Sequence, residues 1–229
     1  MGVSGGTVCS GLSDQTGNHA STLVYPALYN GPVNYFARLI GEREIILEQY
    51  ENYTKQTYRN RCEIMGPNGI LTLSIPVKKK RGVKNPVKDI RIDYDTPWQK
   101  IHWRSLVAAY AASPFFQYIK DDLAVYYEKK PRFLIDLNQQ LLEQCLYFLG
   151  KEIPLRLSSS FSGTKGKTDP RVLIHPKLDP TIHDPVFHPV TYHQVFSERF
   201  GFTSNLSILD LLFNEGNQAY SVLEKSLRT

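Results

Sequence analysis

The tetrapeptide Gly66-Pro67-Asn68-Gly69 constrains this chain more than any other feature. Proline presets one turn position, and Asn and Gly accept positive φ, so the chain must reverse there. Strand-like runs flank it, Thr57 to Met65 before and Ile70 to Val77 after. In the second run Ile70, Thr72 and Ser74 alternate with Leu71, Leu73 and Ile75, the period-two pattern of a half-buried strand. A hairpin is therefore expected.

Further strands are expected at Thr22 to Tyr25, Glu44 to Glu48 and Asp89 to Tyr94, with a short helix at Val33 to Ile40. The pattern then turns helical. Thr96-Pro97 and Ser113-Pro114 read as cap-plus-proline starts. The first of these helices carries Trp98, Ile101, Leu106, Ala109 and Tyr110 near one stripe. A third helix, Phe133 to Leu149, is stopped by Gly150. From Ile153 to Tyr192 periodicity fails among six prolines, predicting a long irregular loop. A short helix at Val195 to Phe200, one opening at Asn205, and one from Gln218 to Leu227 close the chain. The expected class is α/β or α+β: a mixed sheet within residues 22–94, covered by helices from 96–150 and 205–227. Residues 1–21 read as a mobile Gly/Ser/Thr-rich leader and 22–229 as a single domain.

With no apolar run near the ~18 residues a span requires, and no signal-peptide pattern, a cytoplasmic location is expected. Cys9, Cys62 and Cys145 have neither a disulfide nor a zinc spacing. No motif identifies a cofactor. His175, His183, His188 and His193, interleaved with Asp179 and Asp184, match no standard ligand spacing, so no metal site is expected.

The net charge of +5 is concentrated locally, at Lys78, Lys79, Lys80, Arg81, Lys84 and Lys88. Such a run is either a solvated loop or an attractor for an anion such as a nucleotide-sugar. It lacks the interleaved aromatics that stack bases, which disfavours nucleic acid.

The densest polar constellation runs from Tyr53 through Lys55, Gln56, Arg59, Asn60 and Arg61. Read as strand, it places Arg59 and Arg61 on one face, suited to gripping a carboxylate or phosphate, or to bridging acids of a neighbouring strand. His102 sits on an apolar helix stripe, either as a hydrogen-bonded core residue or as a general base. Near the C-terminus, Asn205 or Ser207 is expected to cap a helix whose Asp210 and Asn214 share a face, with Glu215 and Gly216 at its end. A pairing of Asp210 with an arginine of the Arg59-Asn60-Arg61 segment is expected, as a core clasp or a pocket floor.

Three blocks carry a family resemblance: Tyr53 to Arg61 with Gly66-Pro67-Asn68-Gly69 and Leu73 to Val77; Trp98, His102, Tyr110 and Ser113 to Phe116; and Phe200-Gly201-Phe202 leading into Asn205 to Gly216. Their order and spacing resemble the WbqC-like protein family. Members typically begin with a Gln-Pro dipeptide, where this chain has Tyr25-Pro26-Ala27. They also carry an Asp-Asp pair at the end of the second strand, where this chain has Leu47-Glu48-Gln49-Tyr50. The resemblance implies an enzyme of bacterial surface-polysaccharide (O-antigen) biosynthesis that moves an acyl or aminoacyl group, such as glycine, onto an amino-sugar nucleotide. In that reading His102 and Asp210 are catalytic, and Tyr53, Lys55, Gln56, Arg59, Asn60, Arg61, Asn205, Asn214 and Glu215 contact substrate. The alternatives are a non-catalytic scaffold of the same pathway and a nucleic-acid binder using residues 78–88.

Overall fold

The computed structural model describes residues 1–2, 23–79 and 82–228. The expected leader beyond Gly2, with Cys9, and the loop residues Lys80 and Arg81 lie outside the described residues.

The first half of the chain is β1 (Val24–Pro26), α1 (Val33–Leu39), β2 (Ile45–Glu48), β3 (Arg61–Gly66), β4 (Gly69–Ser74), β5 (Val77–Lys78) and β6 (Arg91–Ile92). The expected hairpin is β3–β4, paired from Arg61↔Ser74 to Gly66↔Gly69, so Pro67 and Asn68 form the reversal. Gly69 takes φ +106, a conformation that a side chain resists. The expected strand from Thr57 begins only at Arg61, because Gln56 turns the chain at φ +59 and residues 57–60 remain in the turn. Likewise the Asp89 to Tyr94 strand shrinks to β6, as Val87–Asp89 winds into a 3-10 turn.

The second half is α2 (Trp98–Tyr110), α3 (Phe116–Glu128), α4 (Leu134–Phe148), β7 (Leu155–Leu157), α5 (Pro170–Leu173), α6 (Pro180–His183), α7 (Ser197–Phe200), α8 (Ile208–Glu215) and α9 (Ala219–Lys225). Neither Thr96 nor Ser113 caps a helix. Pro97 and Phe115 occupy the cap positions without a side-chain bond, and the Ser113 hydroxyl donates to the Tyr110 carbonyl. Ile101 is exposed rather than on the buried stripe of α2.

The class is α/β or α+β, but the expected mixed sheet resolves into separate small sheets. The principal one is parallel, ordered β1-β2-β7. Its middle strand, Ile45-Ile46-Leu47-Glu48, is buried throughout, as a central parallel strand must be. Its third strand comes from Leu155–Leu157, inside the stretch expected to be irregular. That stretch also holds α5 and α6, each opened by an aspartate cap followed by proline, Asp169-Pro170 and Asp179-Pro180. Pro26 ends β1, which an edge strand permits.

α8 locks the C-terminal segment to the rest. Ser207 caps it, accepting from Leu209 N–H at 3.3 Å, while its own hydroxyl donates to the Asn30 carbonyl at 2.8 Å. Ser207 N–H also donates to Glu63 of β3, and Val33 N–H to the Leu206 carbonyl. Ile208, Leu209, Leu211, Leu212 and Phe213 are all sealed into one core with Tyr25, Leu47, Ile64 and Tyr110.

Candidate functional site

In open parallel sheets, ligands gather at the carboxyl ends of the strands. Here those ends carry an unusual density of charge. β2 finishes at Glu48, which is fully buried. Its Oε1 accepts from Tyr50 N–H and the Ser158 hydroxyl, both at 2.8 Å. Its Oε2 accepts from Ser162 N–H and hydroxyl at 3.2 Å and faces Arg171 Nη1 at 3.4 Å. Burial alone would raise this carboxyl, but the converging donors more than offset it and hold Glu48 below its ordinary value.

Arg171 organises the loop that follows β7. It donates to the Ser162 carbonyl at 2.6 Å and the Gly163 carbonyl at 3.0 Å, and pairs with Asp169 at 2.7 Å. Asp169 also caps α5 through Arg171 N–H and holds Lys165 N–H at 2.8 Å.

Beside this clamp, Arg59 reaches Glu51 through Nε at 2.8 Å and Nη2 at 2.5 Å, both contacts falling on Oε1. Glu51 Oε2 has no protein partner among the described residues. Burial raises the Glu51 carboxyl, with Arg59 opposing. Asn138 fixes the Arg59 segment from below, donating to the Arg59 and Ala27 carbonyls at 2.8 and 3.0 Å.

The open face of the cluster is positive. Arg61, half-buried at the start of β3, forms no ion pair among the described residues, and its buried Nε has no partner. The fields of Arg59 and Arg61 both act on Tyr53 and His175. Burial raises the Tyr53 hydroxyl to about 12 although both arginines oppose it. Burial first, then Lys177, Arg59 and Arg61, depress the His175 ring. Its Nδ1 accepts from Lys177 N–H at 3.1 Å, so the neutral ring carries its proton on Nε2 as a donor.

From Tyr53 an open cleft of 700 Å³ runs past Lys55, Lys79 and Lys84. A second cleft of 720 Å³ shares Lys79, Val83 and Lys84 with it and extends to Lys78, Asp89, Arg91 and Phe133. Lys78 is neutralised by Asp93 at 3.1 Å and Asp95 at 2.9 Å, and Lys88 lies over the Tyr50 ring. Lys55, Lys79, Lys84 and Arg91 have no ion-pair partner among the described residues.

The structure thus gathers Tyr53, Lys55, Arg59 and Arg61 of the predicted contacts, and separates the others. Exposed Gln56 serves the turn. Asn60 ties β3 to the chain after β4, its Nδ2 donating to the Ile75 carbonyl at 2.8 Å. Asn205 caps α1 rather than α8, accepting from Asn34 N–H at 2.8 Å. Asn214 donates back to the Asp210 carbonyl at 2.7 Å, and Glu215 accepts from His193 N–H at 3.1 Å.

His102 lies in the core, its Nδ1 2.9 Å from the Tyr29 hydroxyl, and burial depresses its ring to about 4. Asp210 meets no arginine, contrary to the expected pairing. Its partners are the hydroxyls of Tyr110 at 2.9 Å and Tyr192 at 2.7 Å and the Gln194 amide at 2.8 Å. Burial raises its carboxyl despite these three donors. Both groups are buried and hydrogen-bonded within the core, the geometry of core fasteners. Among the described residues no three of His, Cys, Asp and Glu are grouped to hold a metal ion.

The pattern of the WbqC-like protein family matches residues 28–181, more than half of the chain. The chain belongs to this family. The matched span of this WbqC-like chain contains the whole carboxyl-edge cluster, from Glu48 to His175, and stops before the Asn205 to Gly216 stretch. The WbqC-like chain is also 30% identical over 210 residues to the uncharacterized protein Rv1507c of Mycobacterium tuberculosis, covering 81% of this chain and 89% of that protein. No solved structure matches it. No helix among the described residues is long and apolar enough to cross a membrane.

Sequence reasoning missed Glu51, Asp169, Arg171 and His175 as members of the site. The Asp169-Pro170 cap signal would have placed Arg171 in a helix turn, but nothing local joins that turn to β2. Where the resemblance leads one to expect an acid pair, this WbqC-like chain has Glu48, with Glu51 and Asp169 brought alongside.

Proposed function

We propose that this WbqC-like chain binds an anionic small molecule of the nucleotide-sugar class at the carboxyl edge of its parallel sheet and transfers an acyl or aminoacyl group to the amino sugar. One observation supports the binding half: Arg61, with no ion pair among the described residues, stands beside Arg59 and a neutral, donating His175 at the head of a row of lysines that likewise have no ion-pair partner among them. Arginine forks and lysine charges in this order suit a diphosphate. Transfer is the activity that the family resemblance suggests, and Glu51 supports it as a candidate base. In such a reaction the sugar amine attacks the acyl carbon, the donor's leaving group departs with its bonding pair, and the amine proton passes to a base. Glu51 Oε2, unused by Arg59, is the base of this reading in place of the enclosed His102.

The test is thermal-shift titration with uridine, thymidine and guanosine diphosphate sugars, followed by mass spectrometry of the sugar after incubation with aminoacyl and acyl donors. A rise in melting temperature that Arg61→Ala abolishes, and an added acyl mass that Glu51→Gln prevents, are expected. The absence of any shift with every nucleotide diphosphate refutes the binding site. A second reading, ligand binding without turnover, has its own support: Cys62 and Cys145 are buried with their thiols raised by desolvation, so neither is a poised nucleophile. A shift without product decides for it.

A further inference from the structure

A separate cavity of 640 Å³ opens between the start of α2 and the end of α3, within the size range of small-molecule sites. Tyr94, Trp103 and Tyr127 wall it. Their rings are already fixed. Tyr94 packs 6.1 Å from Trp98 and donates its hydroxyl to the Pro131 carbonyl at 2.8 Å. Trp103 stacks on Phe116 at 6.3 Å and lies 5.5 Å from Tyr127, whose hydroxyl is held by Tyr29 and Asn30. A ligand entering here would not have to order these walls.

Gln99 lines the same cavity and is only 7% exposed. Its Nε2 donates to the Lys129 carbonyl at 2.5 Å, while its Oε1 has no protein partner among the described residues. That oxygen is open to the cavity rather than enclosed, so a donor from a ligand can reach it. The rim carries Lys100 and Lys130 against Asp95 and Glu128, so its formal charges cancel. That contrasts with the lysine row of the basic cleft. The Lys78–Asp95 ion pair stands between the two, Lys78 lining the cleft and Asp95 the cavity.

We propose that this cavity binds a neutral polyhydroxylated ring, a pyranoside. Such a ring lays its C–H face on Trp103 and donates a hydroxyl to Gln99 Oε1, with further hydroxyls meeting the two-signed rim; the Tyr94 ring is already flanked by Trp98 and the Lys130 ammonium. A purely apolar occupant would leave the Gln99 oxygen unpaired. A phosphate would meet carboxylates of Asp95 and Glu128 beside Lys100 and Lys130, unlike the lysine row of the basic cleft. The inference rests on the cavity alone and is independent of the anion site.

The test uses the full chain with methyl β-glucopyranoside, N-acetylglucosamine and cellobiose as probes. Binding is read by saturation-transfer NMR and by tryptophan emission, with uridine monophosphate and choline as charged controls. Saturable pyranoside binding is expected, weakened about tenfold or more by Trp103→Ala and by Gln99→Leu, a factor of ten being the loss of one good contact. Ala124→Gln fills the cavity from a half-buried position without removing a core group, and is expected to block binding in a protein that still melts cooperatively. Lys84→Gln, in the basic cleft, is expected to leave pyranoside affinity unchanged. The proposal is overturned if no pyranoside binds saturably, if Ala124→Gln and Gln99→Leu bind as wild type does, or if a charged control displaces the sugar from the Trp103 signal.

Discussion

Arg171 and Glu48 meet across 123 positions of the chain, guanidinium Nη1 3.4 Å from carboxylate Oε2, with both side chains closed off from solvent. This contact fastens the Ser-Gly loop behind β7 onto the end of the central strand, and so shapes the edge where Arg59, Arg61 and His175 assemble.

Removing one partner of a buried ion cluster strands the other charge. Arg171→Met is expected to lose about 3–5 kcal/mol in urea unfolding. The double variant Glu48→Gln/Arg171→Met is expected to recover part of that loss.

Glu48 and Asp169 both titrate below their ordinary values in the folded state, since donors and Arg171 more than offset burial. Their stabilisation is complete above the unfolded carboxylate range and is lost as pH falls through the depressed folded values. Stability measured against pH should fall steeply on the acid side, and less steeply in Glu48→Gln.

His102 contributes in the same direction. Its ring titrates at about 4 when folded, against 6.5 in the unfolded chain. As pH falls between those values only the unfolded state takes up the proton, and stability declines. NMR titration should find the His102 ring neutral at pH 7. The stability of His102→Gln should change less between pH 6.5 and 4.

Asp210 runs the opposite way. Its carboxyl is raised, so its share of stability is greatest below the ordinary value of 3.8 and is lost as pH rises through the folded value. Asp210→Asn should flatten that slope. Asp210→Ala strands the Tyr110, Tyr192 and Gln194 donors in the core and should cost about 3 kcal/mol or more.

Gly216 ends α8 at φ +50, and a Cβ there would lie 2.3 Å from the Phe115 ring. Strain at positive φ and overpacking act together, so Gly216→Ala should cost about 2–4 kcal/mol by chemical denaturation.

Much of the local structure was legible from neighbouring residues. The Gly-Pro-Asn-Gly reversal, the short helix α1, the Ser207 cap and the Gly216 stop each depend on residues a few positions apart, where φ preferences and hydrogen-bond reach act directly. Composition likewise located the basic run and the arginine-rich block. The period-two pattern misled over residues 57–60, because Gln56 at positive φ holds Arg59 in a turn where it reaches Glu51.

What the tertiary structure decided are the relationships between distant segments. β7 has three residues, and only its hydrogen-bonding to β2 makes it a strand; a parallel pairing gives no local turn signal. His102 could be a core residue or a base until Tyr29 was found against it, and Asp210 could meet an arginine until two tyrosines and a glutamine filled its shell. The sequence determined which residues carry charge and where the chain turns. The tertiary structure determined which charges neutralise one another and which, like Arg61, have no ion pair among the described residues, because burial and partner distance are set by segments a hundred residues apart.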